Sequence, residues 1–147
     1  MLLSHGVRPD ARAHIIFDGD RCITFEGKSM RNVRPDEQSL SGILREGIER
    51  ARSGTGTRVM RGISARRIEL EHFLSEGKGA KFYYGGPYGR AEEVPKDFFV
   101  VFGYPKLEIE EVLMRAGFTP LNLGKAMLLP DQAVVVLNNR LDCRLAW

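Results

Sequence analysis

Short apolar runs with polar ends over Arg12–Asp18 (RAHIIFD) and again over Arg21–Glu26 (RCITFE), separated by a turn signal, predict two strands. Between them Asp18-Gly19-Asp20 carries the Asp-Gly signal of a tight hairpin turn. A helical period follows. From Leu40 the apolar residues Ile43, Leu44 and Ile48 recur at helical spacing, predicting a helix from about Pro35 to Ala51 with one face turned inward. Pro35 suits the first helical position, and Asp36 and Glu37 meet the positive end of the helix dipole. Ser53-Gly54-Thr55-Gly56-Thr57 reads as a flexible connector, lacking the pattern of a phosphate loop. Ser64 is then expected to cap a second helix that runs through Phe73 and Leu74 to Gly77.

Downstream the pattern changes again. A short strand at Lys81–Tyr84 leads into the turn-rich loop Gly85-Gly86-Pro87-Tyr88-Gly89. Asp97–Gly103 (DFFVVFG) is a continuous apolar run, expected to be the central strand, buried on both faces. Leu107, Glu108, Glu110, Glu111, Val112 and Met114 make an amphipathic helix closing near Gly117, and Thr119–Leu123 returns as a strand to Gly124. Strand, helix and strand in so short a span predict a parallel α/β crossover. In Leu128–Leu145, Val134-Val135-Val136 favours a strand, whereas Leu129, Ala133, Val136, Leu137 and Leu141 follow helical spacing.

Composition bounds the answer. With 147 residues, 43% of them hydrophobic, the chain can bury one sizeable core, so residues 1–147 are expected to form a single domain. No apolar run is long enough to span a membrane, and the first residues lack the order of a secretory signal, so the expected location is the cytoplasm. Cys22 and Cys143 are accordingly read as reduced thiols. The net charge is only +3, but Arg45, Arg50, Arg52, Arg58, Arg61, Arg66 and Arg67 follow closely on Arg31 and Arg34. Guanidinium forks suit phosphates and base stacking, so this stretch is either an RNA-binding surface or a solvated helix face.

Candidate chemistry narrows to two places. His5, His14 and His72 are isolated and no acidic or cysteine cluster has ligand spacing, so no metal is expected; no GxSxG nucleophile motif occurs either. The first place is Phe25–Ser39 (FEGKSMRNVRPDEQS), where Arg31 and Arg34 stand beside Asp36 at the exposed end of a helix. The second is the pair of strand-ending glycines, Gly103 and Gly124, which one crossover would bring to the same sheet edge. There the backbone could approach a nucleotide-like cofactor closely; ordinary strand-ending turns explain the same glycines equally well.

FEGKSMRNVRPDEQS, then VVFG, then NLGKAMLLPDQAVVVLNNRLD, in that order, resembles the archaeal-type SPOUT-class tRNA (pseudouridine-54-N1) methyltransferases across almost the whole chain. The family's first motif reads approximately F-x-G-x-x-L-R-x-L-x-P-D-E-R-S, and it is long and specific. The resemblance implies an α/β fold, with a SPOUT-type parallel sheet and a C-terminal trefoil knot. It implies a homodimer that binds S-adenosylmethionine and methylates N1 of a pseudouridine in the tRNA T-loop. Carried across by position, the cofactor contacts are Gly85, Gly103, Leu123, Gly124, Lys125, Ala126, Met127, Leu128 and Ala133. Arg31, Arg34 and Asp36 become the catalytic and substrate-binding groups, with Ser39 adding a hydrogen bond to the substrate. The resemblance also selects helix over strand for Leu128–Leu141. Family members carry a further N-terminal strand and helix, which this sequence is expected to lack. Where they have leucine and cysteine at two cofactor positions this chain has Gly85 and Ala133, and where they have aspartate after the strand glycine it has Tyr104. A noncatalytic RNA-binding remnant and an rRNA pseudouridine N1-methyltransferase are the alternatives.

Overall fold

The two expected strands form a hairpin, β1 (Arg12–Phe17) and β2 (Arg21–Glu26), paired antiparallel from Arg12↔Glu26 to Phe17↔Arg21. The turn needs two residues in the left-handed region, and Asp18 (φ 50°) and Gly19 (φ 79°) supply them. The computed structural model describes residues 8–54, 57–91, 93–103 and 108–145. The chain divides after Leu70 into two compact units.

In the first unit, helix α1 (Glu37–Arg52) covers one face of the four-stranded antiparallel sheet β1-β2-β4-β3, where β3 is Thr57–Met60 and β4 is Ile63–Arg67. Ile23, Phe25, Ile63 and Ala65 from the sheet and Ala51 from the helix form the core, with Ile43, Leu44 and Ile48 packed against it. Gly47 is buried in α1 because Ile23 Cδ1 would lie 2.6 Å from a Cβ there. Two sequence expectations are corrected here. Ser64 caps no helix: it lies in β4, whose buried Ile63 and Ala65 alternate with exposed Ser64 and Arg66, and Arg61-Gly62 makes the turn from β3. Pro35 is not the first helical residue either. Asp36 is the N-cap, with extended backbone and a carboxylate Oδ1 that accepts the Ser39 N–H at 2.7 Å, so the helix proper starts at Glu37.

The second unit is a three-stranded parallel sheet with helices on both faces. Its order is β6-β5-β7, with β5 Ala80–Tyr84, β6 Phe98–Phe102 and β7 Thr119–Pro120. Phe82 and Tyr84 on one face pack with Leu121, Leu123 and with Ala133 and Leu137 of α4 (Pro130–Leu145). On the other face Phe99 stacks edge-on with Phe73 of α2 (Leu70–Ser75) and with Phe118, the ring centroids 6.2 and 5.5 Å apart. The central strand is therefore β5, whose Phe82-Tyr83-Tyr84 is buried on both faces. The apolar run of β6 lies at the edge and is only half-buried. Helix α3 (Glu110–Arg115) ends at Gly117, φ 83°, and joins β6 to β7 across β5, so the crossover is parallel as expected. Helix, not strand, is found over Pro130–Leu145.

Candidate functional site

The basic shoulder of the first unit is built by alternation within a loop. Met30, fully buried, joins the core and Val33 packs against it, and the residue that follows each, Arg31 and Arg34, is exposed. Asn32 between them has φ 59°, a left-handed conformation that asparagine tolerates better than most residues. Arg31 is steadied from behind: its Nη1 donates to the Met30 carbonyl at 2.7 Å and to the Lys28 carbonyl at 3.4 Å. Arg34 makes no ion pair among the described residues. Asp36 holds the helix start through one carboxylate oxygen and Ser39 is the residue whose N–H it binds, so three of the four anticipated side chains project from one short segment around an anchored turn. Their types suit a planar, polar, partly anionic ligand. Two forks can meet carbonyls or phosphates, and a carboxylate can accept an N–H.

In the second unit the three parallel strands all end at one edge, β5 before Gly85, β6 before Gly103 and β7 shortly before Gly124. The loop after β5 is threaded closely along β7. Arg90 and Ala91 both donate backbone N–H groups to the Pro120 carbonyl, Asn122 donates to the Ala91 carbonyl at 2.8 Å, and a Cβ at Gly89 would strike the backbone of Leu121. Gly86, φ 128°, packs against Met127, whose Sδ would lie 3.3 Å from a Cβ there. The segment from Leu123 to Leu128 is fixed at both ends: Gly124 (φ 129°) donates to the Asn122 Oδ1 at 2.9 Å, and Leu128 donates to the Tyr84 hydroxyl at 3.0 Å. Beside it opens a cleft of about 630 Å³ lined by Pro87, Asn122, Gly124, Lys125 and Arg140, among others. That volume lies within the usual range for small-molecule sites.

The anticipated cofactor residues fall in two classes. Gly85, Gly103, Gly124, Lys125, Ala126 and Met127 lie on the loops at the strand ends, where their backbone is approachable, and Lys125, Ala126 and Met127 are exposed. Leu123 and Ala133, 5% and 0% exposed, have side chains in the core beneath them. Sequence reading missed three contributors. Tyr84 anchors Leu128; Asn122 bonds Gly124 through its side chain and accepts Arg140 Nη1 at 2.9 Å through its carbonyl. Glu110, at the start of α3, lies against Gly85, where its carboxylate would meet an added Cβ. Only Asn122 left a readable signal, an asparagine two residues before a glycine, the pattern of a side-chain-closed turn. The Tyr83 hydroxyl nearby is held protonated above its ordinary range by burial, reinforced by the charge of Glu110. Among the described residues no cluster of metal-ligating side chains occurs, and no helix is long and apolar enough to cross a membrane.

Comparison with known proteins places this geometry. A family profile described as SAM-dependent RNA methyltransferase matches residues 1–146. The chain is 35% identical over 154 aligned residues to the tRNA (pseudouridine(54)-N(1))-methyltransferase of Methanopyrus kandleri, covering 98% of this chain and 74% of the relative. It is 28% identical to the enzyme of the same name from Haloferax volcanii, covering 95% and 76%. Among solved structures it resembles Archaeoglobus fulgidus Nep1 bound to S-adenosylhomocysteine, with a TM-score of 0.62 at 15% identity. That likeness covers 97% of this chain and 64% of the Nep1 chain, and it shows the shared SPOUT fold.

Proposed function

Because this chain belongs to the family of SAM-dependent RNA methyltransferases, we propose that it methylates N1 of a pseudouridine in the tRNA T-loop, at position 54 as the names of its relatives state. The observation that carries this reading is the Arg31–Asp36 shoulder, where two exposed guanidiniums and a carboxylate share one short segment anchored to the core by Met30 and Val33. S-adenosylmethionine supplies an electrophilic methyl group on a sulfonium, which needs no metal for in-line displacement. The strand-end glycines suit it: Gly85 and Gly103 follow β5 and β6 at the sheet edge, and Gly124, with nothing within 4 Å of an added Cβ, opens beside the cleft. Gly85, Gly103 and the Leu123–Leu128 segment are the residues that would hold it, with Ala133 beneath.

The work of the chain's own residues is recognition and proton transfer. N1 of the pseudouridine must lose its proton as the new N–C bond forms. Asp36 Oδ2, which has no partner among the described residues, accepts that N–H and receives the proton. Arg31 and Arg34 donate to the uracil carbonyls, stabilising the negative charge that develops on the ring, and Ser39 adds a hydrogen bond. The target base must leave its stack to reach these groups. We read the close threading of residues 85–91 along Leu121-Asn122 as part of a trefoil knot, and the exposed Met127, Leu129 and Val135 as part of a homodimer contact. A tRNA-modifying role puts the protein in the cytoplasm.

The test is methylation, by the purified protein, of tRNA and rRNA that already carry their pseudouridines but lack the N1-methyl group, followed by mass mapping of nucleosides. A single added methyl on N1 of pseudouridine at position 54 of tRNA is expected. Methyl incorporation confined to rRNA would reassign the substrate. No heat on titration with S-adenosylmethionine, with tRNA binding retained, would make the protein a noncatalytic binder.

A further inference from the structure

The arginines of the first unit are not equally balanced. At the β1–β2 turn Arg21 and Arg67 are matched by Asp18 and Asp20: Arg67 Nη2 lies 2.6 Å from Asp20 Oδ2, and Arg21 Nη1 3.1 Å from Asp18 Oδ2. On α1, Arg50 pairs with Glu46 and Arg52 with Glu49. On the β3–β4 hairpin two arginines lack such a partner among the described residues. Arg58 and Arg61 make no ion pair among the described residues, and Arg66 follows on β4. The pleat decides where they point. Ile63 and Ala65 face the core under α1, so Ser64 and Arg66 face away, and Arg58 stands opposite Ser64 on the same outer face. All three arginines are exposed, and Arg58 and Arg66 are diagonal neighbours of adjacent strands, roughly 7–8 Å apart at the backbone. His14 and Thr24, cross-strand neighbours on that face, add no charge: burial, helped by Arg12 and Arg66, lowers the His14 pKa to about 4. The Arg12 charge there is cancelled by Glu26 at 2.6 Å.

The hairpin is also locked to the shoulder. Gly62 (φ 80°) lies so close to the chain that a Cβ would strike the Met30 backbone, and its carbonyl accepts the Glu26 N–H at 2.8 Å. Arg61 is thereby fixed next to the segment that ends in Arg31. We propose that Arg58, Arg61 and Arg66 form a docking strip for the phosphate backbone of the RNA whose base enters the Arg31–Asp36 shoulder. The inference rests on the functional reading above and divides the labour. The shoulder contacts the base, and the hairpin neutralises flanking phosphates and sets the register in which the base arrives.

The experiment compares wild type with the triple variant Arg58→Gln/Arg61→Gln/Arg66→Gln and the matching triple lysine variant. These exposed positions can change without disturbing the core. Affinity for whole tRNA is measured between about 50 and 200 mM salt, alongside calorimetric affinity for S-adenosylmethionine. The glutamine variant should bind tRNA at least ~10-fold more weakly, and its slope of log affinity against log salt should fall by roughly two, since each lost phosphate contact removes about 0.7–0.9. Cofactor affinity should not move, and the lysine variant should recover most of the loss. A glutamine variant with wild-type tRNA affinity and salt slope overturns the strip. So does a loss that appears only toward an acidic polypeptide such as polyglutamate, which would make the partner a protein. Wild type that binds no tRNA overturns the functional reading itself, and the strip with it.

Discussion

At the residue scale Asp36 carries two duties that its chemistry allows to be separated. Its Oδ1 caps α1 by accepting the Ser39 N–H, and its second oxygen is the one proposed to take the N1 proton. Asparagine keeps a side-chain oxygen for the cap but offers no base; alanine keeps neither. Asp36→Asn should therefore leave thermal stability close to wild type and cut the methylation rate by 10²-fold or more, within the usual contribution of a positioned base. Asp36→Ala should lose both, with about 1 kcal/mol of stability gone with the cap. Rates and melting curves for the two variants decide between the duties. If Asn methylates as fast as wild type across pH, Asp36 is a helix cap and nothing more. The same geometry explains why the sequence reading placed the helix start two residues early. A proline followed by two acids reads as a first helical turn, and only the extended backbone of Asp36 distinguishes a cap from a first-turn residue.

At the element scale, legibility followed how local the deciding force was. The β1–β2 hairpin was readable because Asp-Gly fixes the turn and the turn fixes the register, all within fifteen residues. The β3–β4 hairpin was not. Its turn is Arg61-Gly62, and its glycine is required by a contact with Met30, about thirty residues away, which no local window contains. Likewise the apolar run of β6 had the composition of a central strand, while β5 took the centre because it pairs with β6 on one side and with β7, about 35 residues on, on the other. The candidate site divides in the same way. The shoulder lies in one continuous motif and was legible from it, whereas the Tyr84 anchor on Leu128 spans 44 residues and left no mark. A pH effect also belongs to this scale. His14 on β1 shares a hydrogen bond with Thr24 on β2, Nδ1 to Oγ1 at 2.9 Å, with Cys22 beside it and the charges of Arg12, Arg66 and Glu26 around. Its folded pKa, about 4, lies below the ordinary 6.5, so the unfolded chain binds a proton there that the folded chain refuses. Stability is thus complete above about pH 6.5 and falls as the pH drops toward 4. Solvent screening limits the loss from this group to about 1–2 kcal/mol. Denaturant unfolding at several pH values should show that slope in wild type and a shallower one in His14→Gln. Parallel slopes would remove His14 as the cause.

At the scale of the whole molecule the α4 region has a surface that its own unit does not use. Its inward positions, Ala133 and Leu137, are buried against β5, yet Met127 and Val135 are 71% and 65% exposed and Leu129 is exposed too. Exposed side chains scattered singly require no explanation, but three large ones on and just before one helix are the usual mark of an interface. If that interface is the proposed homodimer, its two-fold symmetry sets a sharp expectation. An isologous contact presents the same patch twice, so a single substitution acts on both sides of the axis. Val135→Glu would bring two carboxylates into an apolar contact, where desolvating them costs more than the patch returns. Wild type should sediment as a dimer at micromolar concentration and Val135→Glu as a monomer, with an unchanged far-ultraviolet spectrum because Val135 lies on the outer side of α4. Val135→Ala, which trims the contact without charging it, should fall between them. A wild type that remains monomeric through the whole concentration range would leave this apolar face without a second copy to cover it, and the strand-end glycines would then have to hold the cofactor within one chain.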